Sequence, residues 1–188
     1  MRDTAREQIV NSAMILFWRM GAEVATYNDI VAATGVSRKA LYSVWLEKER
    51  LVVDALQRYR QQILGSLLRP LMRGDRADLE MFWSNLGKAV RSPDWRGCFL
   101  MRTAGGPLRA LDEVGEIFGG YIGELHDLIA AAVINGQAEG AIESGIDANA
   151  AAWQSVGLIN LMSARGAQSG HDEMIEEMIS AAKQACGL

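Results

Sequence analysis

Apolar residues recur every three or four positions along most of the chain, which is the spacing of one face of an α-helix. The first such stretch covers about 4–20 and ends at Gly21. Another covers about 48–68, and Pro70 ends or kinks it because proline has no backbone N–H to donate. The positions of this stretch that are spaced for burial are Leu51, Ala55, Leu56, Tyr59, Ile63 and Leu67.

The same spacing continues through the second half of the chain. It predicts further helices over about 78–90, 98–104, 111–135, 147–165 and 172–186. Only three prolines interrupt the 188 residues, so the pattern predicts an all-α fold. In the longest of these helices three glycines lie four residues apart, which leaves one face open to the close approach of another helix or a ligand. These are Gly115, Gly119 and Gly123.

The segment between the first two long helices predicts two short helices joined by a tight turn. Thr26 caps the first helix with its hydroxyl, and Asp29 lies three residues on, as in a capping box. Gly35 falls where a helix end requires a left-handed backbone, and Ser37 caps the second helix. The outward positions of that second helix hold Arg38, Lys39 and Tyr42. This is the layout of a helix-turn-helix, whose second helix enters the major groove of DNA.

Lys48 starts the next helix, where a cation opposes the helix dipole. Because that position gives a lysine little structural reason, the sequence favours a contact between Lys48 and a DNA phosphate. The net charge of the chain is −4, and residues 1–51 carry seven Lys and Arg against six Asp and Glu. The basic footprint is therefore a small local patch, and we expect DNA affinity to need a dimer.

The N-terminal third of the chain resembles the TetR family of bacterial transcriptional regulators. The resemblance rests on Arg6 to Ala13, Leu16-Phe17, Gly21, Ile30, Gly35-Val36-Ser37, Leu41-Tyr42, Trp45, Lys48-Glu49 and Leu51. Trp45 stands where the family usually has phenylalanine, and Glu47 replaces the usual small capping residue. The segment from Arg96 to Met101 extends the resemblance less specifically.

The resemblance implies an N-terminal three-helix helix-turn-helix domain over 1–47 and a C-terminal helical domain over 48–188 that binds ligand and forms the dimer. It implies a homodimer on a near-palindromic operator in double-stranded DNA, released by a small molecule of unknown identity. The residues predicted to bind DNA are Thr26, Tyr27, Ser37, Arg38, Lys39, Tyr42 and Lys48.

Large side chains of the central helices are the candidates for a mostly apolar ligand pocket. They are Met81, Trp83, Phe99, Met101, Phe118, Tyr121, His126 and Trp153. The last two helices carry an apolar stripe expected to form the dimer interface, because a small domain does not leave such a stripe in water. Its members are Trp153, Val156, Met174, Ile175, Met178 and Ile179.

Two other functions stay open at this point: a helical thiol-dependent enzyme, and a DNA-binding protein without a ligand. The enzyme would pair Cys98 with His126 or His171. A thiol sensor at Cys98 is a further alternative. We expect no catalysis, no cofactor and no metal, since two cysteines and two histidines without ligand spacing make a poor metal site. A charged N-terminus and short apolar runs predict a cytoplasmic protein without a membrane span.

Overall fold

The structure is a computed structural model that describes residues 3–164 and 172–188. Within these residues the chain is helical and contains no strand, as predicted. The helices are α1 Asp3–Met20, α2 Tyr27–Thr34, α3 Arg38–Tyr42, α4 Lys48–Tyr59, α5 Gly65–Leu68, α6 Arg76–Val90, α7 Phe99–Gly105, α8 Asp112–Ala138, α9 Ala148–Ala164 and α10 Asp172–Ala185. A π-helical turn, Arg60–Leu64, joins α4 to α5, and 3-10 turns occupy Arg69–Met72 and Pro107–Ala110.

The chain divides into two compact units. Unit 1 contains Met1–Ile63 and Cys98–Phe118, and unit 2 contains Leu64–Gly97 and Gly119–Leu188. The expected domain boundary after residue 47 does not coincide with this division. Helix α4 packs along α1 and therefore belongs to the same compact unit as the helix-turn-helix.

Unit 1 is built around α1, which packs on α4 and α2. Its core contains a chain of aromatic contacts: the ring centroids of Trp18 and Tyr59 are 5.1 Å apart, and those of Tyr59 and Phe99 are 5.7 Å apart. Phe99 also meets Phe17 at 6.4 Å. Helix α7 is thereby packed into the same core as the helix-turn-helix.

The helix predicted over 48–68 forms, but its buried face shifts by one residue in its second half. Tyr59 is buried as predicted, whereas Leu64 and Leu68 are buried where Ile63 and Leu67 were expected. The cause is the π-helical turn Arg60–Leu64. A π turn closes its hydrogen bonds from residue i to i+5 rather than i+4, so one extra residue is accommodated.

Unit 2 contains α6, α9 and α10, of which α10 packs on both α6 and α9, together with most of α8. The carboxylate of Asp75 caps α6 by accepting from Asp78 N–H at 2.8 Å. Asp147 caps α9 by accepting from Ala150 N–H at 3.0 Å. Asp78 is completely buried and accepts from Arg73, whose Nη2 lies 2.6 Å from Oδ1.

Helix α8 is the one helix in the described residues that is long and apolar enough to cross a membrane, with a mean hydropathy of 1.4 over 18 residues. Length and composition alone support such a span, and a core helix of a soluble protein meets the same test. At Gly115, Gly119 and Gly123 an added Cβ would meet no described heavy atom within 4 Å. The glycine face predicted on this helix is therefore open.

Candidate nucleic-acid interface

The start of α2 is fixed by the capping box predicted at Thr26 and Asp29. Thr26 Oγ1 accepts from Asp29 N–H at 3.3 Å, and Asp29 Oδ2 accepts from Thr26 N–H at 2.8 Å. The Thr26 hydroxyl also donates to the same carboxylate at 2.6 Å. These hydrogen bonds stabilise the carboxylate and lower the pKa of Asp29 below its ordinary value.

The turn between α2 and α3 has the predicted geometry. Gly35 adopts the left-handed conformation, with φ 70° and ψ 10°, and its N–H donates to the Val31 carbonyl. A side chain would be strained at this φ. Ser37 is the N-cap of α3, and its Oγ accepts from Ala40 N–H at 3.2 Å. The turn therefore joins α2 to α3 through only three residues, 35–37.

Helix α3 has one buried and one exposed side. Leu41 is buried and holds the helix on unit 1. Arg38, Lys39 and Tyr42 are exposed, as predicted for a recognition helix. Two of the other predicted DNA-binding residues, Thr26 and Ser37, are exposed at the two helix N-caps. An exposed cap leaves the first N–H groups of a helix accessible to a phosphate.

Tyr27 organises the exposed side chains of α3. Its ring lies 4.9 Å from the ring of Tyr42, and the Arg38 guanidinium lies 5.0 Å from its centroid. Partial burial, followed by the hydrogen bond with Tyr42, raises the pKa of Tyr27 above its ordinary value. Stacking on an aromatic face fixes the plane of a guanidinium. The contact with Tyr27 therefore favours one orientation of the Arg38 guanidinium in the free protein.

The structure gives Lys48 a role that the sequence reasoning missed. Its ammonium nitrogen lies 2.9 Å from the carbonyl oxygen of Ala22, 3.3 Å from that of Glu23 and 3.1 Å from that of Ala25. An ammonium has three N–H donors, and all three have acceptors here. The premise that this lysine lacks a structural reason is wrong, because the carbonyls after α1 supply one.

A second cluster missed by the sequence analysis surrounds Trp45. The indole Nε1 donates to Asp54 Oδ2 at 2.7 Å, and Arg6 donates to the same oxygen at 2.5 Å. The Arg6 guanidinium also lies 5.6 Å from the Trp45 ring. The signal was present in the sequence: tryptophan in a slot that usually holds phenylalanine brings an indole N–H that needs an acceptor.

The eight predicted ligand residues are distributed over the two compact units. Phe99, Met101 and Phe118 belong to unit 1, and the other five belong to unit 2: Met81, Trp83, Tyr121, His126 and Trp153. Phe99 and Met101 are core residues of unit 1. In unit 2, Trp83 and Tyr121 are buried, while Met81 and Trp153 are substantially exposed.

Two of the ligand candidates in unit 2, Trp83 and His126, have ring nitrogens in unusual surroundings. Trp83 is completely buried, and its indole Nε1 has no hydrogen-bond partner among the described residues. His126 stacks on Trp153 with ring centroids 4.4 Å apart. Its Nδ1 lies 2.9 Å from Asp127 Oδ1 and its Nε2 lies 3.1 Å from Asn149 Oδ1.

Half of the residues predicted for the dimer stripe are buried within their own chain. Val156, Met178 and Ile179 are buried at 5%, 8% and 8% exposure, because α10 packs on α9 and α6 of its own unit. These three residues therefore leave little surface exposed, and their place in a dimer interface stays a prediction. Met174 and Ile175 are half-buried.

Helices α8 and α9 carry exposed apolar residues, of which only Trp153 belongs to the predicted stripe. Trp153, Leu161 and Ile134 are 50%, 52% and 54% exposed. On α9, an added Cβ at Gly157 would also meet no described heavy atom within 4 Å. Of the predicted interface residues, Trp153 alone has half of its surface exposed.

The structure does not favour a reactive thiol at Cys98. The side chain is buried at the start of α7, and burial raises the pKa of its thiol, which disfavours the nucleophilic thiolate. Cys98 belongs to unit 1 and His126 to unit 2, and His171 lies outside the described residues. Among the described residues, no group of three or more His, Cys, Asp or Glu side chains is arranged to hold a metal ion.

In sequence, the chain is similar to a short part of one curated protein. It is 39% identical over 54 residues to the HTH-type transcriptional repressor ComR of Escherichia coli (strain K12). The match covers 29% of this chain and spans about a quarter of ComR, 26% of its length. No protein-family model matches the chain.

In structure, the similarity extends along almost the whole chain. A TetR-family regulator from Streptomyces coelicolor is 20% identical, with a TM-score of 0.77 and coverage of 97% of this chain and 94% of that one. A TetR regulator from Haloarcula marismortui is 16% identical, with a TM-score of 0.78 and coverage of 97% and 96%. A cysteine mutant of the TetR-family regulator CifR, solved with a 26-bp double-strand operator DNA, is 21% identical, with a TM-score of 0.76 and coverage of 99% and 95%. The predicted resemblance is thereby confirmed, and the chain has the all-α fold of the TetR-family transcriptional regulators.

Proposed function

We propose that the protein is a DNA-binding transcriptional regulator, a repressor that leaves its operator when a small molecule binds. The observation that carries the proposal is the geometry of α2, the Gly35 turn and α3. Two capped helices hold Leu41 inward, and Arg38 and Lys39 face solvent on α3. The operator complex solved for CifR, a protein of the same fold, supports this assignment. Such a regulator acts on cytoplasmic DNA.

The exposed side chains of this surface take distinct roles. Arg38, stacked on Tyr27, reads a guanine, because a fixed guanidinium matches the two acceptors on that base in the major groove. Lys39 contacts a base or a phosphate. Tyr42, with the exposed caps Thr26 and Ser37, binds the phosphate backbone and sets the register of the helix on the duplex.

The working form is a homodimer. One chain offers few cations to the duplex, so two copies are needed for tight binding. The exposed Trp153, Leu161 and Ile134 support an interface on α8 and α9, where the open glycine positions let a second helix approach closely. Two-fold symmetry then requires a near-palindromic operator, with half-sites one helical turn apart or a multiple of it.

The inducer is a mostly apolar small molecule with a hydrogen-bond acceptor. The support is the buried Trp83 N–H without a partner among the described residues. An unsatisfied buried donor costs roughly 1–3 kcal/mol, and a ligand acceptor would remove that cost. A ligand releases DNA only if it binds the non-DNA-binding arrangement more tightly.

The DNA-binding proposal is tested by selecting duplexes from a random pool and measuring their affinity by fluorescence anisotropy over a range of salt concentrations. We expect an enriched near-palindrome that binds at least about 1,000-fold more tightly than random duplex. Failure to enrich any sequence would contradict the function. An enriched sequence without two-fold symmetry would contradict the dimer.

The ligand proposal is tested by a thermal-shift screen of apolar and highly charged compounds on the wild-type protein and Trp83→Phe. An apolar acceptor should raise the wild-type Tm by mass action and release the selected duplex. Trp83→Phe should lose most of that shift and keep its DNA affinity. If no compound shifts the Tm or releases DNA, the protein is the alternative, a DNA-binding protein without a ligand.

A further inference from the structure

Three main-chain carbonyls between α1 and α2 converge on one ammonium group. They belong to Ala22, Glu23 and Ala25, and the Nζ of Lys48 lies 2.9, 3.3 and 3.1 Å from their oxygens. Ala22 and Ala25 are buried, and buried carbonyls need hydrogen-bond partners. The three donors of the ammonium match the three acceptors in number, so Lys48 completes the hydrogen bonding of this segment.

A second cation holds the end of α1. The Nη1 of Arg102, from α7, donates to the carbonyl oxygen of Trp18 at 3.0 Å. A cation at the C-terminal end of a helix also offsets the helix dipole. Gly21 then reverses the chain with φ 96°, and Ala25 N–H donates to its carbonyl at 3.2 Å. The next residue is Thr26, the N-cap of α2.

The segment 21–25 therefore has no helix of its own and is held mainly through its carbonyls. Its path determines where α2 starts, and α2 carries Tyr27, on which Arg38 is stacked. Lys48 therefore influences the positions of α2 and α3 through the main chain of residues 21–25. A phosphate contact would need at least one of the three N–H groups to leave its carbonyl.

We propose that Lys48 is a positioning residue for DNA recognition and not a phosphate ligand. Its ammonium fixes the carbonyls of residues 22–25 and thereby presents α2 and α3 to the major groove. The effect on DNA rests on the proposed function, whereas the carbonyl contacts do not depend on it.

A phosphate ligand and a positioning residue differ in how their removal changes the salt dependence of DNA binding. Removing a phosphate contact lowers the slope of log affinity against log salt by about 0.9, because one fewer counterion is released. Removing a positioning group leaves the slope unchanged and reduces specific binding more than non-specific binding, because only specific binding needs the exact placement of base-reading side chains. A loss of stability alone would leave the ratio of specific to non-specific affinity unchanged while the protein stays folded.

The experiment compares wild-type protein, Lys48→Met and Lys39→Ala. Lys48→Met keeps the aliphatic chain and removes the ammonium. Lys39→Ala is the matched control, since Lys39 is an exposed lysine on α3. The measurements are amide hydrogen exchange of residues 22–30 in the free protein, and affinity for the selected and a random duplex at several salt concentrations.

For Lys48→Met, which removes all three hydrogen bonds, we expect at least about tenfold faster exchange at residues 22–30 and at least about tenfold weaker specific binding, since even one hydrogen bond to a charged group contributes about that much. Its salt slope should equal that of the wild type. For Lys39→Ala we expect wild-type exchange at 22–30 and a slope lower by about 0.9 if it contacts a phosphate.

Lys48→Arg keeps the charge but replaces a compact ammonium by a planar guanidinium. It should show faster exchange and weaker specific binding at an unchanged salt slope. If Lys48→Met does not fold, Lys48→Arg distinguishes the positioning role from a phosphate contact. The proposal is overturned if Lys48→Met lowers the slope by about one with wild-type exchange, or if Lys48→Arg keeps full affinity and protection. Wild-type protein that binds no duplex would contradict the proposed function instead, and the exchange data would still test the carbonyl contacts.

Discussion

The helix-turn-helix and the last two helices differ in how their structure depends on the rest of the chain. In the helix-turn-helix, the capping box at Thr26, the left-handed Gly35 and the Ser37 cap all form between residues at most four apart. In α9 and α10, the buried residues are decided by which helices pack together, and α10 packs on both α9 and α6.

This difference between the two regions shows what an apolar stripe predicts and what it leaves open. A stripe on a helix predicts that the face is buried, but it does not name the partner. Met178 and Ile179 were expected to meet a second subunit, and the structure shows them buried in a helix that packs on α9 and α6 of its own chain. Trp153 and Leu161 carry the exposed apolar surface of α9. The following variants test whether these two regions behave as differently in solution as they do in the structure.

The largest effect is expected at the recognition helix. The double variant Arg38→Ala, Lys39→Ala should weaken binding to the selected duplex by at least about 100-fold, since each base contact contributes roughly 1–3 kcal/mol. Fluorescence anisotropy measures the loss. The control is Arg69→Ala, an exposed arginine of unit 2, which should bind as the wild type. Equal losses in both proteins would show that binding follows total charge and not α3.

The next largest effect is expected at Ile179, and it tests whether this residue belongs to the core of unit 2 or to a dimer interface. Ile179→Ala should lower the free energy of unfolding by about 2–5 kcal/mol, as for other aliphatic side chains cut back in a core. Denaturant unfolding at fixed protein concentration measures it, and sedimentation should show the same association state as the wild type. An intact unfolding midpoint combined with dissociation into monomers would restore Ile179 to the interface.

The converse variant is Leu161→Glu, which places a charge on the exposed side of α9. We expect the dimer to weaken by at least tenfold, about 1.4 kcal/mol, because a buried unpaired carboxylate in an interface is costly. Sedimentation equilibrium measures the association. Met72→Glu is the matched control, since Met72 is 70% exposed and lies outside α8 and α9; it should associate normally.

The smallest effect is the pH dependence of the cap on α2. Hydrogen bonds from Thr26 lower the pKa of Asp29 below its ordinary value of 3.8. A lowered folded-state pKa stabilises the protein above the unfolded-state pKa, and this stability is lost as pH falls through the folded-state pKa. Thermal unfolding of the wild type and Asp29→Asn should therefore differ at pH 6 and converge near pH 2. A constant difference across this range would contradict the cap's contribution.

The sequence predicted the helices and the geometry of the turn because both depend on short-range patterns. It did not predict the partner of Lys48, because the three carbonyls lie 23 to 26 residues earlier in the chain. The Asp54 acceptor of Trp45 was within reach of sequence reasoning, since an indole N–H in a buried slot requires one. The ligand candidates were chosen by size and apolarity, and these properties do not distinguish the core residue Phe99 from the exposed Trp153.

The π-helical turn at Arg60–Leu64 joins α4 to α5. In genetic terms, the segment from α4 to α5 corresponds to an α-helix with a one-residue insertion. Each residue added to an α-helix rotates the following residues by about 100°, and the wider turn absorbs that rotation, so Leu64 and Leu68 stay in line with Tyr59. Gln61 is exposed within the turn. Loss of its codon should therefore leave an uninterrupted α-helix with the same three side chains on one face, whereas gain of a codon there should move the two leucines out of line.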